Sequence, residues 1–300
     1  MLFRSAQPAR NIQIHTTGND RVGHGHVYRS LALAAELQHH DILFHVTDTT
    51  DQTARQLIAA AGGKFTQIGY PFADLVILDQ LDNSVETVAR FKAGGALVVT
   101  IEDLGPGAAY ADLVINSLYP LHLGTEKTGG RWADLRSEFL SLPSYPIRHS
   151  ENSGDWRMLM MFGGTDPSGL GEKFGKWFPW ATLIERAADV SVAWEMTQHD
   201  VLITSAGRTV YEAAAVGIPS IVVAANPREA RHSHLGWSYG NLYLGLGALV
   251  EEYHARNVVD ELFSRPDIRR EMSDRARGSV DGLGLQRIAY QIEGLLKGML

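Results

Sequence analysis

Hydrophobic and polar positions in the first 120 residues follow two alternating patterns. Short apolar or β-branched runs at 12–15, 42–47, 75–78, 97–101 and 113–115 read as strands. Several are apolar at nearly every position rather than every second one, which marks strands covered on both faces. Between them, segments 27–37, 53–61 and 85–93 space their apolar residues three and four apart, as one face of a helix requires. Strand–helix alternation of this kind predicts an open, parallel α/β sheet.

The pattern breaks between 120 and 155, where Pro120, Pro143, Pro146, Gly124, Gly129 and Gly130 accompany many polar residues. This stretch reads as a linker with one short helix around 132–140. A new apolar run, Arg157-Met-Leu-Met-Met-Phe162, restarts the alternation, with further strands at 201–204 and 220–224. Helices are expected at 209–215, at 258–263 and from 268 to the end. The expected architecture is α/β, with two doubly wound Rossmann-like domains, 1–150 and 151–300, facing each other across a cleft. Segment 167–200 is short for a doubly wound domain and rich in Trp and Phe.

The chain has 300 residues, enough for two cores of ordinary size. A net charge of −7 argues against a nucleic acid or an anionic membrane as partner, but an anionic small molecule held by local donors fits. With no cysteine, disulfides and thiolate metal sites are excluded. No apolar run approaches the ~18 residues of a membrane span, and the first ten residues lack a signal-peptide pattern. No stable membrane insertion and a cytoplasmic location are therefore expected.

Candidate chemistry gathers where strands hand over to helices. In Gly23-His-Gly-His26-Val-Tyr-Arg29 two glycines bracket His24, just before a helix starts. Glycines at 23 and 25 allow positive φ and close approach of a ligand, and unpaired helix-start N–H groups favour anions. His26 is a candidate general base at near-neutral pH, with His24 as competitor. Arg29 is either a phosphate or sugar contact or a solvated helix charge. The strand end Gly163-Gly164-Thr165-Asp166-Pro167-Ser168 resembles an anion cradle, but without the lysine of a P-loop. In Ser205-Ala-Gly207-Arg-Thr209-Val-Tyr-Glu212, the spacing of Thr209 and Glu212 is that of a capping box. The functional alternative puts Gly207 and Thr209 at a diphosphate and Glu212 on a ribose diol. Asn226-Pro-Arg-Glu-Ala-Arg-His-Ser-His234 opens another strand end; it reads either as a polar surface loop or as a site of sugar or phosphate hydrogen bonding, which is favoured over a metal site. Among carboxylates at or near strand ends (Asp74, Asp79, Glu102, Asp103), Asp79 and Asp103 are the best candidates to orient a base. No Asp-x-Asp pair marks a metal-bridged diphosphate.

Taken in order, these segments resemble the UDP-sugar hydrolases of pseudaminic acid biosynthesis and the spore-coat polysaccharide proteins similar to them. The resemblance rests on Gly23-His-Gly-His26-Val-Tyr-Arg29, Ile101-Glu-Asp103, Ala111-Asp-Leu-Val-Ile-Asn116, Leu135-Arg-Ser-Glu-Phe139, Phe162-Gly-Gly-Thr-Asp166, Ser205-Ala-Gly-Arg-Thr-Val-Tyr-Glu212 and Asp281-Gly-Leu-Gly284. It implies the two-domain GT-B fold, shared with the glycosyltransferase that makes lipid II. It further implies UDP held mainly by the second domain, His26 as the base that activates water, Glu212 on the ribose, and neither metal nor cofactor. The substrate class would be UDP-sugars, with Gly23, Gly25, Arg29, Gly163, Gly164, Thr165, Ser205, Gly207, Thr209 and Asn226 as the binding residues beside Glu212. Asn226-Pro-Arg-Glu departs from the Asn-Gln usual there. Two other readings stand beside hydrolysis: a glycosyltransferase with a hydroxyl acceptor, and a non-catalytic nucleotide-sugar-binding subunit. The intact 23–29 segment argues against the last, since a binder needs no base there.

Overall fold

The computed structural model of the chain describes residues 8–19, 23–66, 72–120, 122–140, 148–163, 166–185 and 190–299. Two compact α/β units divide it. One holds residues 1–116, 121–127 and 285–300; the other holds 117–120 and 128–284. This is not a single cut at 150. Most of the expected linker belongs with the second unit, and the last helix returns to the first.

In the first unit, β1 (Asn11–Thr16), α1 (Gly25–Glu36), β2 (Asp41–Val46), α2 (Gln52–Ala60), β3 (Lys64–Thr66), β4 (Leu75–Asp79), α3 (Val85–Ala93), β5 (Leu97–Ile101) and β6 (Leu113–Asn116) follow one another. A two-residue strand, β7 (Lys127–Thr128), closes a sheet of order β3-β2-β1-β4-β5-β6-β7. The registered ladders from β3 to β6 are parallel. Every residue of β4 is buried, as its uninterrupted apolar run requires. The helices start where side chains can satisfy free amides: Asp51 accepts from Ala54 N ahead of α2, and Ser84 from Thr87 N ahead of α3. The chain builds outward from β1 to β3, then returns to the other side of β1 as β4. The order reverses there, and Thr16 and Asp79 lie side by side at the carboxyl ends of the two strands. An open α/β sheet leaves its ligand crevice at such a point.

The second unit contains α4 (Ser137–Leu140), β8 (Met158–Met161), α5 (Leu170–Trp177), β9 (Thr182–Leu183), α6 (Val192–Thr197), β10 (Val201–Ser205), α7 (Thr209–Val216), β11 (Ser220–Ala224), β12 (Asn241–Leu246), α8 (Glu252–Ser264) and α9 (Pro266–Ser279). Its parallel sheet runs β12-β11-β10-β8-β9, so the order reverses between β8 and β10. Phe162, Phe174, Ile203, Val223, Val259 and Phe263 belong to one buried core on this sheet. Among the described residues of the short 167–200 region, a two-residue strand lies between two small helices. Sequence periodicity missed α5, whose eight residues include two glycines, the six-residue α6 and β12, and the two- and three-residue strands, which are too short to show a period. The helical run expected from 268 breaks into α9 and α10 (Gly284–Leu296), with Asp281 and positive-φ Gly282 between them. Among the described residues, no helix is long and apolar enough to cross a membrane.

Candidate functional site

His26 enters the site through the helix that carries it. From His26, Arg29 and Ser30 follow at i+3 and i+4, so all three share one face of α1. That face meets Asp79 at the end of β4. His26 Nδ1 lies 2.6 Å from Asp79 Oδ1, Arg29 Nε donates to Oδ2 at 2.9 Å, and Ser30 Oγ donates to Oδ2 at 3.0 Å. Arg29 Nη2 also donates to Oδ1. Asp79 is fully buried and Arg29 nearly so. Burial pushes the Asp79 carboxyl up, but the charges and hydrogen bonds of Arg29 and His26 outweigh it and hold the group well below the usual carboxylate range. Arg29 Nη2 lies 3.2 Å from the same Nδ1, but the shorter contact with the carboxylate favours a proton on Nδ1, leaving the Nε2 lone pair free to take one. Nε2 has no hydrogen-bond partner among the described residues, and the side chain remains 12% exposed. Arg29 is therefore neither a solvated helix charge nor an open ligand contact. It is the counterion of Asp79, with Glu102 Oε1 a further 3.6 Å away from its Nη1. Glu102 sits at the end of β5 with φ of 54°, a left-handed conformation unusual for a glutamate.

His24, the competitor, faces elsewhere. Its Nε2 lies 2.9 Å from Asp51 Oδ2, the carboxylate that caps α2. Gly23 has φ of 73° and forms an antiparallel bridge with Asn19, whereas Gly25 is the first residue of α1 and needs no special conformation. Asp103 is not brought to His26. Its carboxylate accepts from Asn83 N, Asn83 Nδ2 and Gly105 N, and so holds the loops after β4 and β5. Burial pushes its carboxyl up despite those donors.

In the second unit, Gly163 (φ of 84°) lies two residues beyond the end of β8, while Gly164 and Thr165 lie outside the described residues. The expected anion cradle at the next helix is already occupied: Asp166 accepts from Leu170 N and Gly171 N, satisfying the first amides of α5. Ser205 and Gly207 lie on the turn after β10, and Thr209 begins α7. The expected capping box does not form. Arg208 is the cap residue and no side chain caps the helix. Glu212 is drawn away by a tertiary partner, because Arg136 donates to both its oxygens, at 2.7 and 3.1 Å. Asn226 accepts from Arg228 N and Glu229 N, a turn-holding role.

His232 Nδ1 and His234 Nε2 both lie against the carbonyl of Ala206, at 2.6 and 3.2 Å, which puts protons on those nitrogens rather than a metal. Burial lowers His234 to about 3, so it stays neutral. Among the described residues, one group with metal-ligand spacing is His39, His40 and Glu293. His40 Nδ1 accepts from Arg10 N, so its proton sits on Nε2 and is donated to Glu293. The three side chains form a hydrogen-bonded clasp.

Sequence reading missed Ser30, Asp51, Arg136 and Glu229 as site residues, and it passed over Glu102. The i, i+3, i+4 pattern of His26, Arg29 and Ser30 was the available signal for the first. Arg136, Asp51 and Glu229 each also meet a partner distant in sequence, at Glu212, His24 and Ala206, and that contact leaves no local pattern.

No protein-family model matches the chain. An uncharacterized protein of Methanocaldococcus jannaschii is 26% identical over 271 residues, covering 72% of this chain. The chain spans 56% of that relative's length, little more than half. Among solved structures, MurG of Acinetobacter baumannii aligns with a TM-score of 0.65 at 15% identity, over 95% of this chain and 99% of that one. MnaA of S. aureus, solved with UDP, aligns with a TM-score of 0.64 at 11% identity, over 97% and 98%. The UDP-GlcNAc 2-epimerase of Neisseria meningitidis, bound to UDP-GlcNAc, aligns with a TM-score of 0.57 at 12% identity, over 96% and 100%. At these identities the likeness speaks to the fold, and the two parallel α/β units of this chain have the GT-B fold.

Proposed function

We propose that the chain acts on a nucleotide sugar, UDP-linked, and breaks the anomeric C–O bond with release of UDP, passing the glycosyl unit to water. The observation that carries this reading is the His26–Asp79 pair with its free Nε2, placed where the first sheet reverses its strand order. In this scheme Nε2 takes a proton from water as the water oxygen bonds to the anomeric carbon. The C–O bond electrons leave with the diphosphate, and the proton passes on from His26 to solvent. Asp79 holds the ring and stabilises the imidazolium, while Arg29 keeps Asp79 ionised. No metal or cofactor is required. The nucleotide is assigned to the second unit, at Gly163, Ser205, Gly207 and Thr209 around its own reversal point, with Glu212 as the ribose partner. That solved structures of similar fold contain UDP or UDP-GlcNAc supports the substrate class.

A second reading replaces water by a hydroxyl acceptor, since the same Nε2 would activate either oxygen; the likeness to a glycosyltransferase structure favours keeping it. The test is incubation with UDP-glucose and UDP-GlcNAc, with and without a glycan acceptor, following UDP release and sugar products. Free sugar and UDP in water alone support hydrolysis. Release that needs an acceptor supports transfer, and a 2-epimer without net UDP release would displace both. His26→Ala is expected to lower turnover by about 10²–10⁴; full activity in that variant would remove His26 as the base.

A further inference from the structure

Glu229 spans two strand ends of the second unit. Its Oε2 accepts from Ala206 N at 3.1 Å, after β10, and from Ala225 N at 2.8 Å, after β11. Its Oε1 has no hydrogen-bond partner among the described residues. We propose that Glu229 is the hydroxyl-reading group of this unit, with Oε2 as its anchor and Oε1 as the acceptor for a ring hydroxyl of the ligand. The proposal rests on the nucleotide-sugar reading and adds a residue and a specificity to it.

The arrangement is held from every side. Asn226 fixes the Glu229 backbone amide, and Ser168 Oγ donates to the Ala225 carbonyl at 2.9 Å. His232 and His234 hold the Ala206 carbonyl, on the next peptide along. The carboxylate is thus preorganised, and a ligand need not freeze its rotamers. The group is half-buried. Burial pushes its carboxyl up against the pull of the two amides.

An ionised carboxylate only accepts hydrogen bonds and repels phosphate. At the carboxyl end of β11 it therefore excludes the diphosphate and favours the neutral, hydroxylated part of the ligand. The glycine-bearing turns after β8 and β10 are left for the phosphates. This orients a nucleotide sugar along the sheet edge.

The hydroxyl could come from the glycosyl ring or the ribose, and one experiment separates them. Full-length protein and Glu229→Gln are titrated calorimetrically with UDP, 2′- and 3′-deoxy-UDP, UDP-glucose and UDP-GlcNAc. Glutamine keeps one carbonyl oxygen for the two amides and replaces the free acceptor by a donor. The expected loss is about ten- to a hundredfold for any ligand whose hydroxyl uses Oε1. If that hydroxyl is glycosyl, the UDP-sugars weaken and UDP is unchanged. If it belongs to ribose, UDP weakens, and one deoxy-UDP binds variant and wild type alike. Either pattern upholds the assignment. Unchanged affinity for every ligand overturns it. So does equal loss for all of them with a lowered unfolding midpoint, which marks a structural turn residue. Wild-type protein that binds none of these ligands overturns the nucleotide-sugar reading itself, and the Glu229 assignment with it.

Discussion

Replacing Asp79 by asparagine tests the centre of the candidate site, because shape is kept and only the charge and one acceptor are lost. Asp79 is fully buried and accepts from His26, Arg29 and Ser30. Breaking a buried pair costs about 3–5 kcal/mol, because one charge is left uncompensated. Glu102 still faces Arg29 at 3.6 Å, so the low end, about 3 kcal/mol, is expected. For a unit of this size that is a fall of roughly 6–12 °C in the unfolding midpoint. The folded carboxyl titrates below its ordinary value of about 3.9, so its stabilisation is fully present above that pH and is lost as pH falls through the lower folded value. The gap between wild type and D79N should therefore close on acidification below about pH 4. The effect on turnover is separate. An amide NH₂ facing His26 makes Nδ1 an acceptor and moves its proton to Nε2, where the ring no longer serves as base. UDP release should fall by about 10²–10⁴, and D79N should add nothing in a His26→Ala background. Denaturant melts across pH and UDP-release rates of the four proteins check this. Turnover within tenfold of wild type, or additive effects in the double variant, would refute the dyad and leave Asp79 a purely structural anion.

Three further outcomes follow from neighbouring contacts. His24→Ala removes the contact with Asp51 but leaves His26 and Asp79 paired, so turnover should change less than tenfold and stability by about 1 kcal/mol or less; a loss as large as that of His26→Ala would exchange the roles of the two histidines. His15 and His234 are buried and lowered to about 3, so the unfolded chain takes up protons there before the folded one does. Stability should drop as pH falls from about 6.5, by up to ~1.4 kcal/mol per pH unit for each histidine, and His234→Asn should flatten part of that slope in denaturant titrations. Gly240 has φ of 71°, and an added Cβ would fall on the Met272 carbonyl oxygen and the Ala276 nitrogen of α9, so Gly240→Ala should cost about 2 kcal/mol or more in a thermal melt.

The sequence by itself determined the alternation of strands and helices, the doubly wound class and the location of candidate chemistry at strand ends. Those features are local. An apolar run buried on both faces and apolar positions three and four apart are written in neighbouring residues, and the carboxyl ends of parallel strands follow from them. His26, flanked by glycines at a strand-to-helix junction, was legible for the same reason. Its partner was narrowed to a few carboxylates, but only strand order could choose among them. β4 lies beside β1, which puts Asp79 against His26 across 53 residues of sequence, while Asp103 turns into its own loops. Tertiary structure also made Arg29 a buried counterion and drew Glu212 from a local cap to Arg136, because a bidentate guanidinium–carboxylate contact outcompetes a capping hydrogen bond. Glu229 lay in a segment that reads as a polar surface loop. What distinguishes it is two backbone amides contributed by different strand ends, and main-chain donors carry no residue-type signature for a sequence to display.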